Sequence, residues 1–226
     1  MVGIQPKNLR AISSVGRATR LHREGHRFES CIAHSVKKLH RCSWSGEDEQ
    51  MVLYHDTEWG VPVHNDKKLF EFLVLESAQA GLSWKTILHR MSGYKKAFAH
   101  FDYKKVAKFG SKDVARLMKD TGIIRNKLKI LATIRNAQKF IEIQKEFGSF
   151  HSYMWKFVGN KQIDGKRKKH IDIPAITPES IALAKDLKKR GFTFLGPTIT
   201  YAHMQAVGMV NDHTTQCFRY KECKKI

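Results

Sequence analysis

Apolar residues recur at helical spacing along most of the chain. Residues 66–80 carry overlapping apolar stripes, with Asn65 or Asp66 in position to cap the helix. Similar patterns predict helices over residues 83–90, 92–100, 112–119, 125–147, 177–191 and 198–207. Strand-like alternation is nearly absent, and the polar segment 159–174 predicts one long loop. The pattern therefore predicts an all-α fold, built as a single globular helical domain.

Cap and turn residues set the boundaries of these helices. Ser83 and Ser111 stand where N-caps are expected, and Gly122 breaks the chain before the longest helix. Thr177 is followed by proline, the combination that begins many helices. A Gly-Pro pair at residues 196–197 opens the last predicted helix.

Residues 1–38 have no helical or strand period and differ in this from the rest of the chain. The strings at residues 13–18 and 27–30 match what the D-arm and T-arm of a tRNA gene encode when they are translated. We expect a non-domain extension here. It is either read from a tRNA gene, with true translation beginning near Val36 or Leu39, or a genuine basic, disordered tail. The domain itself is expected at residues 39–226.

The charge of the chain is strongly positive. Its 226 residues carry 41 Lys and Arg against 21 Asp and Glu, a net charge of +20. Without residues 1–38 the counts are 33 and 19, which still leaves +14. Such a surplus favours nucleic acid as a partner, although a merely basic housekeeping protein has the same composition. No apolar stretch approaches the ~18 residues of a membrane helix, so we expect a cytoplasmic protein without membrane contact.

Two cysteine–histidine pairs lie near opposite ends of the predicted domain. Twelve residues separate Cys42 from His55, and three separate His213 from Cys217. Together they supply two thiolates and two imidazoles, the ligand set of a closed tetrahedral zinc site. Four protein ligands leave no position for water, so such an ion would be structural. The alternative is that these residues are unrelated in a chain with 12 histidines.

A cluster of aromatic residues surrounds one acidic residue in the sequence. Trp44, Tyr54, Trp59 and Trp84 fall within about forty residues, and Glu76 follows an apolar run between them. Stacking rings with one carboxylate suit a flat cationic base. The alternative is that these residues are structural, because tryptophans are usually core residues and a lone glutamate can pair with a lysine.

A helix, a tight turn and a second helix succeed one another around Gly122. Backbone N–H groups at such a turn suit a phosphate, and Arg125, Lys127 and Lys129 add positive charge. This pattern predicts a helix-hairpin-helix element, or else an ordinary helical corner with a solvated basic face. The basic run at residues 166–169 is a further candidate for contact with DNA.

Five strings in the chain resemble one family, bacterial DNA-3-methyladenine glycosylase I, a helix-hairpin-helix glycosylase. The resemblance covers about residues 40–220 and rests on residues 41–44, 54–62, 75–84, 122–125 and 204–213. It implies a structural zinc ion, one per chain, whose ligands are Cys42, His55, His213 and Cys217. It also implies that Glu76 accepts hydrogen bonds from a flipped base, and that Trp44, Tyr54 and Trp84 surround that base.

The resemblance implies hydrolysis of the N-glycosidic bond of 3-methyladenine in double-stranded, alkylated DNA. Gly122, Arg125 and Lys127 would contact the DNA backbone, and Glu76 would be the catalytic residue. The helix that begins near Lys127 has no acidic residue before Glu142, so we expect pocket-based catalysis by a monofunctional, monomeric enzyme. Two alternatives stay open: a zinc-stapled DNA-binding module without activity, and a zinc-dependent hydrolase.

Overall fold

The computed structural model describes residues 39–224, and within this range the chain is mostly helical. Its α-helices are, in chain order, α1 (Glu49–Thr57), α2 (Asp66–Gln79), α3 (Trp84–Leu88), α4 (Met91–Ala97), α5 (Tyr103–Val106), α6 (Ser111–Lys119), α7 (Lys127–Phe147), α8 (Phe150–Trp155), α9 (Pro178–Lys189), α10 (Pro197–Ala206) and α11 (Phe218–Cys223). The predicted helical fold is thus confirmed. The extension predicted at residues 1–38 lies outside the described residues.

One small sheet departs from the all-α prediction. Strands β1 (Ile163–Asp164) and β2 (Val210–Asn211) pair in parallel, within the segment predicted as a loop and after α10. The N–H of Ile163 donates to the carbonyl oxygen of Met209 at 2.9 Å. A pairing between residues so far apart in sequence leaves no local pattern, which is why it was not predicted.

Helix α2 lies at the centre of the domain. Nine of its fourteen residues are buried, among them the unbroken run from Phe72 to Ala78. The helix contacts α3, α7, α8 and α10, and a helix covered on several sides is apolar all round. Its predicted cap is confirmed, because the side chain of Asn65 accepts from the N–H of Lys68 at 3.0 Å. The carboxyl end of α2 carries Glu76 into the interior.

Helix α7 forms the long wall against which α2, α5, α6 and α8 pack. Ile130, Ile134, Ala137 and Phe140 are buried at intervals of three and four residues, as the periodicity predicted. The helix begins at Lys127, two residues later than expected, because Asn126 provides the cap.

Several helix boundaries differ from the prediction for identifiable reasons. Ser111 is the first residue of α6, not its cap. Instead, the N–H of Gly110 donates to the carboxylate of Asp113 at 3.1 Å. Helices α1, α5, α8 and α11 were not predicted as separate elements, because each is short and α1 buries only Tyr54 and His55.

The start and the end of the described chain lie together. The N–H of Phe218 donates to the carbonyl oxygen of His40 at 3.0 Å, and the side-chain amide of Asn211 donates to the carbonyl of Tyr220. This closure brings α1 next to the segment that comes after α10. No helix among residues 39–224 combines the length and apolar character needed to cross a membrane.

Candidate functional site

Two thiols and two imidazoles meet where the ends of the described chain come together. Cys42 precedes a short 3-10 turn at Ser43–Ser45, and His55 lies in the last turn of α1. His213 follows β2, and Cys217 caps α11. All four side chains are buried, and their ligand atoms lie within 4.8 Å of one another. The structure confirms that the two predicted pairs form one cluster.

The distances in this cluster fit a tetrahedral metal ion. The Sγ of Cys217 lies 3.4 Å from Nε2 of His55 and 3.5 Å from Nδ1 of His213, and the Sγ of Cys42 lies 3.6 Å from the same Nδ1. Sulfur and nitrogen ligands of one zinc ion are about 3.6 Å apart, given Zn–S of about 2.3 Å and Zn–N of about 2.1 Å. A hydrogen bond with Cys217 lowers the pKa of Cys42 to about 7 against the opposing effect of burial.

Hydrogen bonds outside the cluster fix which imidazole nitrogen faces it. Nε2–H of His213 donates to the carbonyl oxygen of Trp59 at 2.9 Å, which leaves Nδ1 as an acceptor. Nδ1 of His55 lies 2.7 Å from the carboxylate of Asp56, which Arg41 in turn holds at 2.7 Å. Carbonyl and carboxylate partners of this kind are typical of metal-bound histidines. The donor set therefore fits zinc.

A cavity of about 270 Å³ opens next to the cluster. It is lined by Trp44, Met51, Tyr54, Trp59, Glu76, Gln79, Trp84, His170, Ile173, Ala202 and Gln205. The ring of Tyr54 lies between those of Trp44 and Trp84, with centroid distances of 6.2 Å and 5.1 Å. The aromatic residues and the acidic residue predicted from the sequence are thus brought together around one opening.

The carboxyl group of Glu76 is buried at this cavity, and no hydrogen-bond donor or cation of the described residues is paired with it. Its side chain is 3% exposed, and Oε2 has no hydrogen-bond partner among the described residues. Burial raises the pKa of Glu76 to about 8. The pKa of Tyr54 is also raised, first by burial and then by the nearby charge of Glu76. A buried carboxyl with neither cation nor donor is costly, so it marks a place where a ligand supplies them.

Two indole N–H groups in the same cavity also lack partners. Nε1 of Trp44 and Nε1 of Trp84 are buried and make no hydrogen bond within the described chain. Six buried polar side-chain atoms in residues 39–224 share this condition, and three of them belong to cavity-lining residues. Two donors and one carboxyl without partners thus belong to side chains that form the cavity walls.

Residues 120–126 connect α6 to α7, so the two helices and the turn at Gly122 lie where the sequence placed them, and the helix-hairpin-helix role of this turn stays a prediction. Gly122 packs closely against Gly93 of α4: a Cβ on Gly93 would overlap the carbonyl oxygen of Gly122, and a Cβ on Gly122 would lie 3.3 Å from the Cα of Gly93. The N–H of Gly122 donates to the carboxylate of Asp120 at 2.8 Å, so this group already has a partner. Arg125 and Lys127 are exposed at the start of α7. Contact of these residues with DNA stays a prediction.

Two basic residues that the sequence suggested for contact with DNA make hydrogen bonds within the protein. The Nζ of Lys129 donates to the carbonyl oxygens of Ala78 at 2.7 Å and Ala80 at 2.6 Å, at the end of α2. Lys129 therefore has a structural contact that the sequence did not predict, and its contribution to phosphate binding stays a prediction. In the basic run 166–169, Arg167 donates to the buried carboxylate of Asp212 at 2.8 Å.

Several lining residues were not predicted as site residues. They are Met51, Gln79, His170, Ile173, Ala202 and Gln205. Gln79 and Gln205 do lie within strings that carry the family resemblance, at residues 75–84 and 204–213. The sequence gave no indication that His170 and Ile173 line the cavity, because they lie in a polar loop without a periodic pattern of apolar residues.

A basic helical domain with an aromatic cavity that ends in a buried carboxyl is typical of enzymes that take a base out of the DNA stack. The family model described as methyladenine glycosylase matches residues 44–220 of the chain. The chain belongs to the methyladenine glycosylase family, whose members are hydrolases that act on N-glycosyl bonds.

Individual relatives agree with this assignment. The chain is 44% identical over 182 residues to "DNA-3-methyladenine glycosylase 1" of Escherichia coli (strain K12), covering 80% of this chain and 97% of the relative. A crystal structure of 3-methyladenine DNA glycosylase I superposes with a TM-score of 0.77 at 46% identity and covers 79% of this chain and 98% of its own. A tyrosine-to-phenylalanine variant in complex with 3-methyladenine, 35% identical, also has a TM-score of 0.77, with 79% and 96% covered.

Proposed function

We propose that this protein hydrolyses the N-glycosidic bond of 3-methyladenine in alkylated, double-stranded DNA, releasing the free base and leaving an abasic site. One observation carries the proposal. Glu76, Trp44 and Trp84 each hold a buried polar atom without a partner at the same aromatic cavity, within the described part of the chain. Adenine is flat and has both donors and acceptors on its edges, so it suits these atoms. A solved relative crystallised with 3-methyladenine supports the same assignment.

The buried carboxyl explains how a methylated base is distinguished from an ordinary one. With a pKa of about 8, Glu76 is mostly protonated in the free protein at neutral pH. A cationic base in the cavity favours the carboxylate form and gains the attraction of its charge. Neutral adenine lacks this charge and leaves the carboxyl protonated. The rings of Trp44, Tyr54 and Trp84 add cation–π attraction to the same preference.

The reaction makes modest demands on catalytic groups. Methylation at N3 puts positive charge on the ring, so the base departs as a neutral leaving group through an oxocarbenium-like transition state. Residues 127–141 of α7 contain no acidic residue, and the exposed Glu142 is bound by Lys139 at 2.8 Å. Selectivity and catalysis therefore both reside in the cavity, with Glu76 as the catalytic residue.

The hydrogen bonds of Lys129 support a monofunctional enzyme. This residue lies near the end of α2, but its Nζ already donates to two backbone carbonyls. Desolvation lowers the pKa of Lys129, but both hydrogen bonds hold its Nζ against the end of α2, so it is not directed at a sugar as a nucleophile for a Schiff base. We therefore assign hydrolysis without strand cleavage.

A structural zinc ion completes the domain. Cys42, His55, His213 and Cys217 would hold it, and four protein ligands exclude a role in activating water. We assign the glycosylase domain to residues 39–226, treat residues 1–38 as an extension, and expect a cytoplasmic monomer.

The helical hairpin is the proposed contact with the DNA backbone. Arg125 and Lys127 supply exposed charge at the start of α7. The turn at Gly122 would lie beside the phosphate, with its own N–H held by Asp120. This contact depends on charge and not on sequence, as is appropriate for an enzyme that searches DNA for rare lesions.

An excision assay on methylated duplex DNA tests the proposal, with the released bases separated by chromatography. The wild type should release 3-methyladenine. Glu76→Gln should reduce this rate by about 100-fold while duplex affinity stays unchanged. Glu142→Gln, an exposed carboxylate removed in the same way, serves as the matched control. If the wild type binds duplex but releases no base, the protein is a DNA-binding module and the proposal fails.

A further inference from the structure

Gln205 lines the base cavity, and a buried carboxylate holds its side chain. Its Nε2 donates to Oδ2 of Asp212 at 2.7 Å. The same oxygen accepts from the hydroxyl of Tyr201 at 2.5 Å, and Oδ1 accepts from Nε of Arg167 at 2.8 Å. Asp212 is fully buried. The backbone of Gly165 lies directly against its Oδ1, because a Cβ on Gly165 would overlap this oxygen.

The chemistry of this contact fixes which way the amide points. A carboxylate paired with an arginine accepts hydrogen bonds and donates none. The amide nitrogen of Gln205 must therefore face Asp212, and Oε1 is left directed elsewhere as an acceptor. Gln205 lies one helical turn from Ala202, and both line the cavity from the same face of α10. Oε1 of Gln205 is therefore the atom of this side chain left to accept from a molecule in the cavity, which Glu76 lines as well.

We infer that Gln205 is a specificity-determining residue that reads the substituent at C6 of the purine, with Asp212 as the residue that positions it. The inference rests on the proposed function and extends it by naming the residue that distinguishes adenine from guanine. Adenine has an amino group at C6, whose N–H bonds match an acceptor, whereas guanine has an acceptor oxygen there. With guanine, the amide oxygen of Gln205 would face the O6 of the base, and neither oxygen would have a hydrogen-bond donor. Two unsatisfied acceptors in a buried site disfavour the binding of guanine.

Replacement of Gln205 by an apolar side chain of similar length tests the inference. In Gln205→Met, binding of free 3-methyladenine, followed by quenching of tryptophan fluorescence, should weaken about tenfold, the loss of one hydrogen bond. Binding of free 3-methylguanine should not weaken, so the preference for adenine should fall by the same factor. Gln138→Met, on the exposed side of α7, is the matched control and should keep the wild-type preference. Equal weakening for both bases, or no change for either, would overturn the inference.

A second variant tests the positioning role of Asp212. In Asp212→Asn, the new amide can donate to Gln205, whose own amide can then turn its nitrogen towards the cavity. The preference should shift from 3-methyladenine towards 3-methylguanine beyond the value of Gln205→Met. Melting temperature and metal content report whether this variant is folded, since Asp212 precedes His213. If the wild type excises neither base, the proposed function fails. If it excises 3-methyladenine and Gln205→Met keeps the wild-type preference, only this inference fails.

Discussion

Binding of a cationic base to this protein should tighten as the pH rises, because it is coupled to the loss of a proton from Glu76. Burial raises the pKa of this carboxyl to about 8, so at pH 6 the free protein holds it almost entirely protonated. A cation in the cavity stabilises the carboxylate, and the proton must leave for this attraction to be gained. Apparent affinity should therefore follow the ionised fraction of Glu76 and level off above its pKa.

The size of the effect is set by that pKa. Between pH 6 and pH 7.5 the ionised fraction of a group with a pKa of about 8 rises from about 1% to about 24%, an increase of about twentyfold. The probe is 3,9-dimethyladeninium, whose charge is fixed by alkylation of both rings and mimics the lesion in DNA. Its dissociation constant, from tryptophan fluorescence, should fall by this factor over the range. The constant for neutral 9-methyladenine should not fall.

Variants separate Glu76 from the other titratable groups near the cavity. Glu76→Gln should abolish the pH dependence, whereas His170→Asn, which removes the imidazole that lines the cavity, should keep it. Burial lowers the pKa of His203 to about 4 and raises that of Tyr54, so neither titrates between pH 6 and pH 7.5. A flat profile in the wild type, or a slope that survives in Glu76→Gln, would refute the reasoning.

Three further predictions concern stability, metal and DNA. The folded protein keeps a proton on Glu76 between about pH 4.5 and 8 that the unfolded chain loses, whereas buried His203 has the opposite effect between about pH 4 and 6.5. In urea titrations the free energy of unfolding should therefore fall by about 1 kcal/mol per pH unit between pH 6.5 and 8. Glu76→Gln should remove that contribution, and an unchanged slope would contradict it. Elemental analysis should find one zinc ion per chain, and Cys42→Ser or chelation should lower the melting temperature; a chelated protein that stays fully stable but inactive would contradict a structural role. Lys127→Ala should weaken duplex binding and reduce its salt slope by about one, whereas Lys129→Met should leave the slope unchanged and cost about 1–3 kcal/mol of stability. Equal effects on the salt slope would refute the different roles of these two lysines.

The parts of the molecule that the sequence predicted are those fixed by local or chemical rules. Helices α2 and α7 are long, periodic and capped by asparagine, so their existence could be read from spacing alone. The Cys–His cluster was predictable for a different reason. Few combinations of residues bind zinc, and two thiols with two imidazoles form one of them. Here the residue types mattered more than the sequence distance between Cys42 and Cys217.

The parts that escaped prediction depend on long-range packing. The pairing of β1 with β2, and the use of Lys129 to bind the end of α2, join residues far apart in the chain. A basic residue in a basic segment has the same local pattern whether its Nζ faces phosphate or a backbone carbonyl. Gln205 illustrates the same limit, because its role depends on Asp212, whose burial no local pattern indicates.

The Cys–His cluster and the aromatic cavity are not independent parts of this molecule. Trp44 stands two residues after Cys42, and Tyr54 stands directly before His55, so each of these cluster residues has a near chain neighbour in the cavity wall. The ring of Trp44 lies 5.3 Å from that of His55, and Trp59, which also lines the cavity, accepts from His213 through its carbonyl oxygen. An ion that fixes the four ligands thereby fixes the spacing of the aromatic walls. Its loss should weaken base binding even under conditions where most of the helical fold persists.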